Sequence, residues 1–169
     1  SPVEVQILQR ELPESHIALL SNIHHVSPEP VKREGRRDLV FVGGFEHPPN
    51  VDAMEWFCAE ILPKVVAEIP DARLHMIGSK MPEKVRALAG PHVIAHGYVE
   101  NVLPFFENCL LSVAPLRYGA GVKGKINQSM SLGVPVATTS VGAEGMHLEH
   151  ERDALIADKA PAFAREIIR

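Results

Sequence analysis

Six short runs rich in Val, Ile and Leu recur along this chain, and a helix-compatible stretch separates each from the next. They lie at 39–43, 73–78, 93–97, 110–114, 134–138 and 154–157. Several are apolar nearly throughout, as strands covered on both faces must be; a half-exposed strand would alternate instead. Strand and helix in regular alternation imply a parallel sheet with right-handed crossovers. The expected fold is therefore α/β, a doubly wound Rossmann-like parallel sheet of about six strands, running from Asp38 to the end.

The spacers support this. Asn50 can cap a helix whose apolar positions are Val51, Met54, Phe57, Cys58, Ile61, Leu62, Val65 and Ile69, with Pro63 kinking it. Shorter helices fit 82–88, 101–107 and 122–132, the last stopped by Gly133 with Pro135 beyond it. At 169 residues, with 46% hydrophobic and 22% charged, the chain suits one globular domain that needs no staple.

Residues 1–37 stand outside the repeat. A helix is expected over 3–12 and a strand over 17–20. Pro28-Glu29-Pro30 and the basic run Lys32-Arg33-Glu34-Gly35-Arg36-Arg37 read as an exposed, solvated linker. The start, Ser1-Pro2-Val3-Glu4, has neither the basic region and apolar run of a signal peptide nor an initiator Met. The last segment, 161–169, reads as a helix cut off while still apolar. Both suggest a piece of a longer protein.

Net charge is −4 with a pI near 6.1, which argues against nucleic acid as the partner. No stretch approaches the ~20 apolar residues of a membrane span. Two cysteines, Cys58 and Cys109, fit a reducing compartment and an inert, apolar setting rather than a disulfide framework. A cytoplasmic location is expected, with a peripheral place at the membrane open to the full-length protein.

In a doubly wound sheet, ligands bind beyond the carboxyl ends of the strands. Four of the five loops there carry Gly close to the strand, which permits close backbone approach but also ordinary turns. Gly119-Ala120-Gly121-Val122-Lys123-Gly124 spells G-x-G-x-x-G. A dinucleotide oxidoreductase would need that string directly after the first strand, with an acid ending the next one. Here Pro115-Leu116-Arg117-Tyr118 intervenes, the unit is the fourth, and Thr138-Thr139-Ser140 stands in place of the acid. The loop reads better as an anion site. It opens a helix, and Arg117, Lys123 and Lys125 crowd the same turn, where cations oppose the helix dipole unless an anion is present.

The segments from Phe41 to Asn50, Gly97-Tyr98-Val99, Ala114 to Ile126, Gly133 to Thr139 and Gly142 to Met146 together resemble the C-terminal donor-binding domain of GT-B glycosyltransferases of the group 1 class. The resemblance covers roughly two-thirds of the chain and keeps its order. It implies one half of a GT-B fold: residues 1–37 would be the tail of the N-terminal domain plus the linker, and 38–169 the donor domain. It implies a nucleoside-diphosphate sugar as substrate, no further cofactor, no metal, and a glycan, lipid or other acceptor held by the other half. The base would sit at Gly97, Tyr98 and Val99. The diphosphate would sit at Gly119, Ala120, Gly121 and Val122, with Arg117, Lys123 and Lys125 stabilising the leaving group. Gly43 and Gly44 would lie close to the phosphates and the interdomain cleft; His47, read from its place in the same strand-end loop, either touches the donor, caps the following helix or lies exposed. Gln128 would replace the family's ribose-binding Glu, Ala120 stands where an upstream Glu is usual, and Glu144 would contact sugar hydroxyls. Turnover is not expected without the second half.

The sequence contains five Asp and no Asp-x-Asp, so the positive loop would take the place of a metal held by such a pair. His24 and His25 read as solvated. His147 and His150, beside Glu149 and Glu151, read as an exposed turn rather than a metal site. Trp56 and Phe57 read as packing, and Tyr118 as stacking or structure. A nucleotide-sugar epimerase of the same architecture and a non-catalytic nucleotide-binding module are the alternatives.

Overall fold

The six apolar runs form strands that pair only in parallel: β1 (Leu39–Val42), β2 (Leu74–Ile77), β3 (Val93–Gly97), β4 (Leu111–Ala114), β5 (Val136–Thr138) and β6 (Leu155–Ile156). Their order in the sheet is β3-β2-β1-β4-β5-β6, the doubly wound arrangement expected above. This is a computed structural model; it describes residues 2–20, 22–24, 26 and 34–169. The linker residues 27–33, with Pro28, Lys32 and Arg33, lie outside the described residues, as do Ser21 and His25.

The helices are α1 (Pro2–Glu11), α2 (Pro48–Trp56), α3 (Leu62–Glu68), α4 (Glu83–Arg86), α5 (Leu103–Asn108), α6 (Gly124–Ser131), α7 (Ser140–Ala143) and α8 (Ala160–Ile168). Two details differ from expectation. The first long helix begins at Pro48, with His47 at the N-cap position and Asn50 inside the first turn. Proline is favoured there because the first N–H groups have no partner within the helix. Pro63 does not simply kink the helix. A π turn over Phe57–Ile61 precedes it, and the Leu62 N–H reaches back to the Phe57 carbonyl. That wider turn accommodates a residue with no N–H to donate.

Residues 17–20, expected as a strand, pair with no strand among the described residues; Leu20 stands 89% exposed. A strand needs a ladder partner, and this segment meets neither edge of the sheet.

One face of the sheet, with Phe41, Leu74 and Met76, packs against Met54, Phe57, Ile61 and Val65 of the long helix and Phe163 of α8. Phe163 meets the rings of Trp56 and Phe57 edge-on, with centroids 6.2 Å apart in both cases. On the other face Val40, Ile77, Phe106, Cys109 and Val134 form a second cluster. Burial pushes the Cys58 and Cys109 thiols up to about 12, so neither is a thiolate at neutral pH.

That second face also carries a polar chain. Asp38 Oδ2 lies 3.2 Å from His75 Nε2, and His75 Nδ1 lies 2.9 Å from His96 Nε2. The carboxylate assigns the proton to His75 Nε2, so His75 Nδ1 accepts from His96 Nε2–H. Burial, then the neighbouring His75, lowers the pKa of His96. The unfolded chain therefore binds a proton at this residue at higher pH than the folded one, and stability falls as pH drops through the ordinary histidine range near 6.5. His96→Gln should flatten the acid side of a denaturation midpoint plotted against pH; an unchanged slope would remove His96 as its cause.

Candidate functional site

The chain leaves β1 for β2 and β3 on one side, then returns to β4 on the other. The loops after β1 and β4 therefore part, and this switch point is where a doubly wound sheet places its ligand crevice. Backbone bonds continue beyond the strands and bind the loops together: Gly43 N–H to Ile77 O at 3.0 Å, Phe45 N–H to Ser79 O at 2.9 Å, Gly78 N–H to Gly97 O at 2.8 Å. Gly78 is forced by this contact, because a Cβ there would fall on the Gly43 carbonyl oxygen.

The loop after β4 is shaped by two left-handed glycines, Gly119 at φ +125 and Gly121 at φ +76. Ala120 and Val122 lie exposed on it, and Lys123 takes the N-cap position of α6. The three cations there have different partners. Arg117 turns to α2: its Nε and Nη2 donate to the two oxygens of Asp52 at 2.9 and 2.5 Å, and its guanidinium lies 5.5 Å from the centre of the Trp56 ring. Lys123 folds onto its own loop, donating to the carbonyls of Gly121 at 2.5 Å and Gly119 at 3.3 Å. Burial lowers its pKa, while Glu144 and Glu4 act in the opposite direction.

Lys125 reaches across the switch point from α6 to the β1 side. Its ammonium donates to Asn50 Oδ1 at 2.5 Å and sits 4.2 Å from the centre of the Phe41 ring. The nitrogen is 2.7 Å from where a Gly43 Cβ would lie, so the glycine makes room for it. Asn50 in turn donates to the Gly44 carbonyl at 2.6 Å. One lysine thus ties the β4 side of the switch point to the β1 side. Burial, and then the Lys123 charge, draw its pKa from 10.5 down to about 7.

The remaining residues frame this centre. Gly44 lies against the Glu46 carboxylate, which also accepts from the Ser79 hydroxyl at 3.3 Å. His47 is exposed and makes no side-chain capping bond. Gly97 adopts φ +71; Tyr98 after it is 73% exposed and Val99 packs into the second core cluster. Gln128 is half-buried on α6, and Glu144 is exposed within electrostatic range of Lys123. Thr139 bonds the Leu116 carbonyl and accepts from the Gly142 N–H at 3.0 Å, which fixes the loop after β5 against the loop after β4. The N-terminal segment lies over the same end. Glu4 approaches Gly121, and a cleft of about 490 Å³ runs between Leu20, Asn22, Val122, Asn127 and Met146.

Asn50 was legible only as a helix cap, yet it is the residue that receives Lys125. Its one sequence signal is an amide on an otherwise apolar helical stripe. Away from the crevice, His150 lies 3.9 and 4.0 Å from Glu151 and Glu166. Its Nδ1 accepts from the Ile156 N–H at 2.9 Å, so Nε2 carries the proton and faces these acids as a donor.

Residues 36–169 match the family described as glycosyl transferases group 1. A Klebsiella pneumoniae chain, described as an uncharacterized 44.6 kDa protein in the cps region, is 28% identical over an alignment of 141 residues that covers 78% of this chain and 36% of that one. The fold is similar to a crystal structure of a Staphylococcus aureus TarM mutant in complex with fondaparinux, alpha-GlcNAc-glycerol and UDP. The TM-score is 0.80 at 16% identity, over 99% of this chain and 35% of that one. It is similar also to a sucrose-phosphate synthase from Thermosynechococcus elongatus (TM-score 0.68, 21% identity, 99% and 46%). A third likeness is to Anabaena HepE in complex with UDP and glucose (TM-score 0.61, 13% identity, 99% and 42%). The chain spans about a third of the curated relative's length and less than half of each of these structures. With a parallel sheet in this order and a family match over most of its length, this chain belongs to the group 1 glycosyl transferases and has the Rossmann-like fold of a GT-B domain.

Proposed function

We propose that the crevice between the β1 and β4 loops binds the diphosphate of a nucleoside-diphosphate sugar, the glycosyl donor. The observation that carries this reading is Lys125: an ammonium buried at the switch point on an amide and an aromatic face, neither of which carries charge. Charge held that way is unfavourable until an anion arrives, and a phosphate oxygen between Gly43 and the start of α6 would supply one. The exposed backbone of Gly119–Val122 adds donors on the same side.

Transfer breaks the bond between the anomeric carbon and the phosphate oxygen, and the bonding pair leaves with the diphosphate. Fixed positive charge at that oxygen lowers the barrier. Lys125 takes this role, and Lys123 stiffens the loop that delivers the amides. Arg117, held by Asp52, acts on the position of α2 and its loop. The base would lie at Gly97–Val99, Gln128 would meet the ribose without charge, and Gly44, His47 and Glu144 would face the sugar. The acceptor would enter from the second half of a longer protein, and full turnover needs that half. The TarM and HepE structures, each with UDP, support the nucleotide class by likeness of fold.

Calorimetry with UDP and GDP tests the reading. One of them should bind saturably, and a chelator should leave the affinity unchanged, because the lysine supplies the charge. Absence of heat with every nucleoside diphosphate would dismiss the donor site. Binding that vanishes with the chelator would dismiss Lys125 as the charge source.

A further inference from the structure

The opposite end of the sheet, where β1 and β2 begin, carries a second polar cleft of about 340 Å³. Arg36, Arg37 and Arg73 line it with Asp38, Asp71 and Asn108. It draws on the basic run of the linker, which the donor site does not use.

The two acids there are already engaged. Asp71 accepts from Arg37 Nη1 at 2.8 Å. Asp38 accepts from the Arg73 backbone N–H and from His75 Nε2, each at 3.2 Å, one on each oxygen. That leaves Arg36 and Arg73. Among the described residues, no carboxylate lies within ion-pair distance of either guanidinium. Arg36 Nη1 is shut off from water and has no hydrogen-bond acceptor. Native proteins rarely leave a buried charged donor unmet. Arg73 is exposed at the same cleft. Two unpaired guanidinium groups around a polar cavity match a tetrahedral dianion better than a carboxylate, since it offers two charges and oxygens in several directions.

We propose that this cleft binds a phosphate group, carried by a soluble phosphate or by a lipid headgroup, through Arg36 and Arg73, with Asn108 at its rim. The site lies at the far end of the sheet from the donor crevice and does not rest on the donor reading.

Amide NMR spectra of the full chain, titrated with inorganic phosphate, test it directly. The amides of Arg36, Arg37, Asp38, Arg73 and Asn108 should shift together and saturate. Those of Gly43 and Gly119–Lys123 report the donor crevice separately, so either site can fail alone. In the Arg36→Gln/Arg73→Gln double variant, affinity at the first set should fall about tenfold or more. Sedimentation with phosphatidylcholine vesicles, with and without phosphatidic acid, separates the sources. Capture only by the acidic vesicles, lost in the double variant, assigns a headgroup; phosphate binding without vesicle capture assigns a soluble ligand. First-set amides that stay still in the unmodified chain, or equal affinity in the double variant, would overturn the site.

Discussion

Lys125→Met is expected to stabilise the fold and to weaken diphosphate binding in the same molecule. Burial holds the Lys125 pKa at about 7 rather than 10.5. That depression corresponds to a penalty on the order of 5 kcal/mol on the folded state when the group is charged, as an upper figure. The sign follows from proton counts. Between pH 7 and 10.5 the unfolded chain holds the proton and the folded chain releases it, so stability rises with pH across that window. Below pH 7 the penalty is present in full. The Met variant, similar in length and uncharged, should gain about 2–4 kcal/mol at pH 6, with the gain shrinking towards pH 10. Urea denaturation at the two pH values reads this.

Its affinity for a nucleoside diphosphate should fall about a hundredfold, near 3 kcal/mol. In the unmodified chain the charged lysine is the binding form. Affinity should therefore decline as pH rises above 7, and binding near pH 8 should take up a proton, visible as heats that differ between buffers. A Met variant that binds UDP as well as the unmodified chain would refute the role given to Lys125.

Gly78→Ala should do the reverse, harming both stability and binding. A Cβ at Gly78 meets the Gly43 carbonyl oxygen and lies 3.0 Å from the Phe45 ring. The obstacle is backbone, and the bonds from Gly43 to Ile77 and from Phe45 to Ser79 hold that backbone on either side. The loops after β1 and β2 must separate, at a cost of about 3 kcal/mol. The separation moves Gly43 away from Lys125, so UDP affinity should fall with the melting temperature. Gly90→Ala is the control: nothing lies within 4 Å of its Cβ, and the change should stay within about 0.5 kcal/mol. Equal behaviour of the two variants would show that the packed loops do not govern the crevice.

Much of this was legible in the order of residues. A doubly covered parallel strand must be apolar along its length, so the six runs announced the sheet, and alternation with helices announced its winding. Glycine at 119, 121 and 133 marked backbone that no other residue adopts easily. Strand 17–20 failed as an expectation because an apolar run makes a strand only where a sheet edge is free to receive it. The π turn went unseen because periodicity does not register one added residue per turn, although Pro63 marked the place.

The sequence alone determined the fold class, the loops that gather at one end of the sheet, and the cluster of cations after β4, because periodicity and turn chemistry are local. Only the tertiary structure distributed those cations. Arg117, Lys123 and Lys125 are near neighbours in sequence with the same charge, but Arg117 and Lys125 reach Asp52 and Asn50 on α2, 65 and 75 residues earlier, while Lys123 takes the carbonyls of its own loop. Which partner a charged side chain takes depends on distances and burial set by packing across the sheet, and no local pattern carries that information.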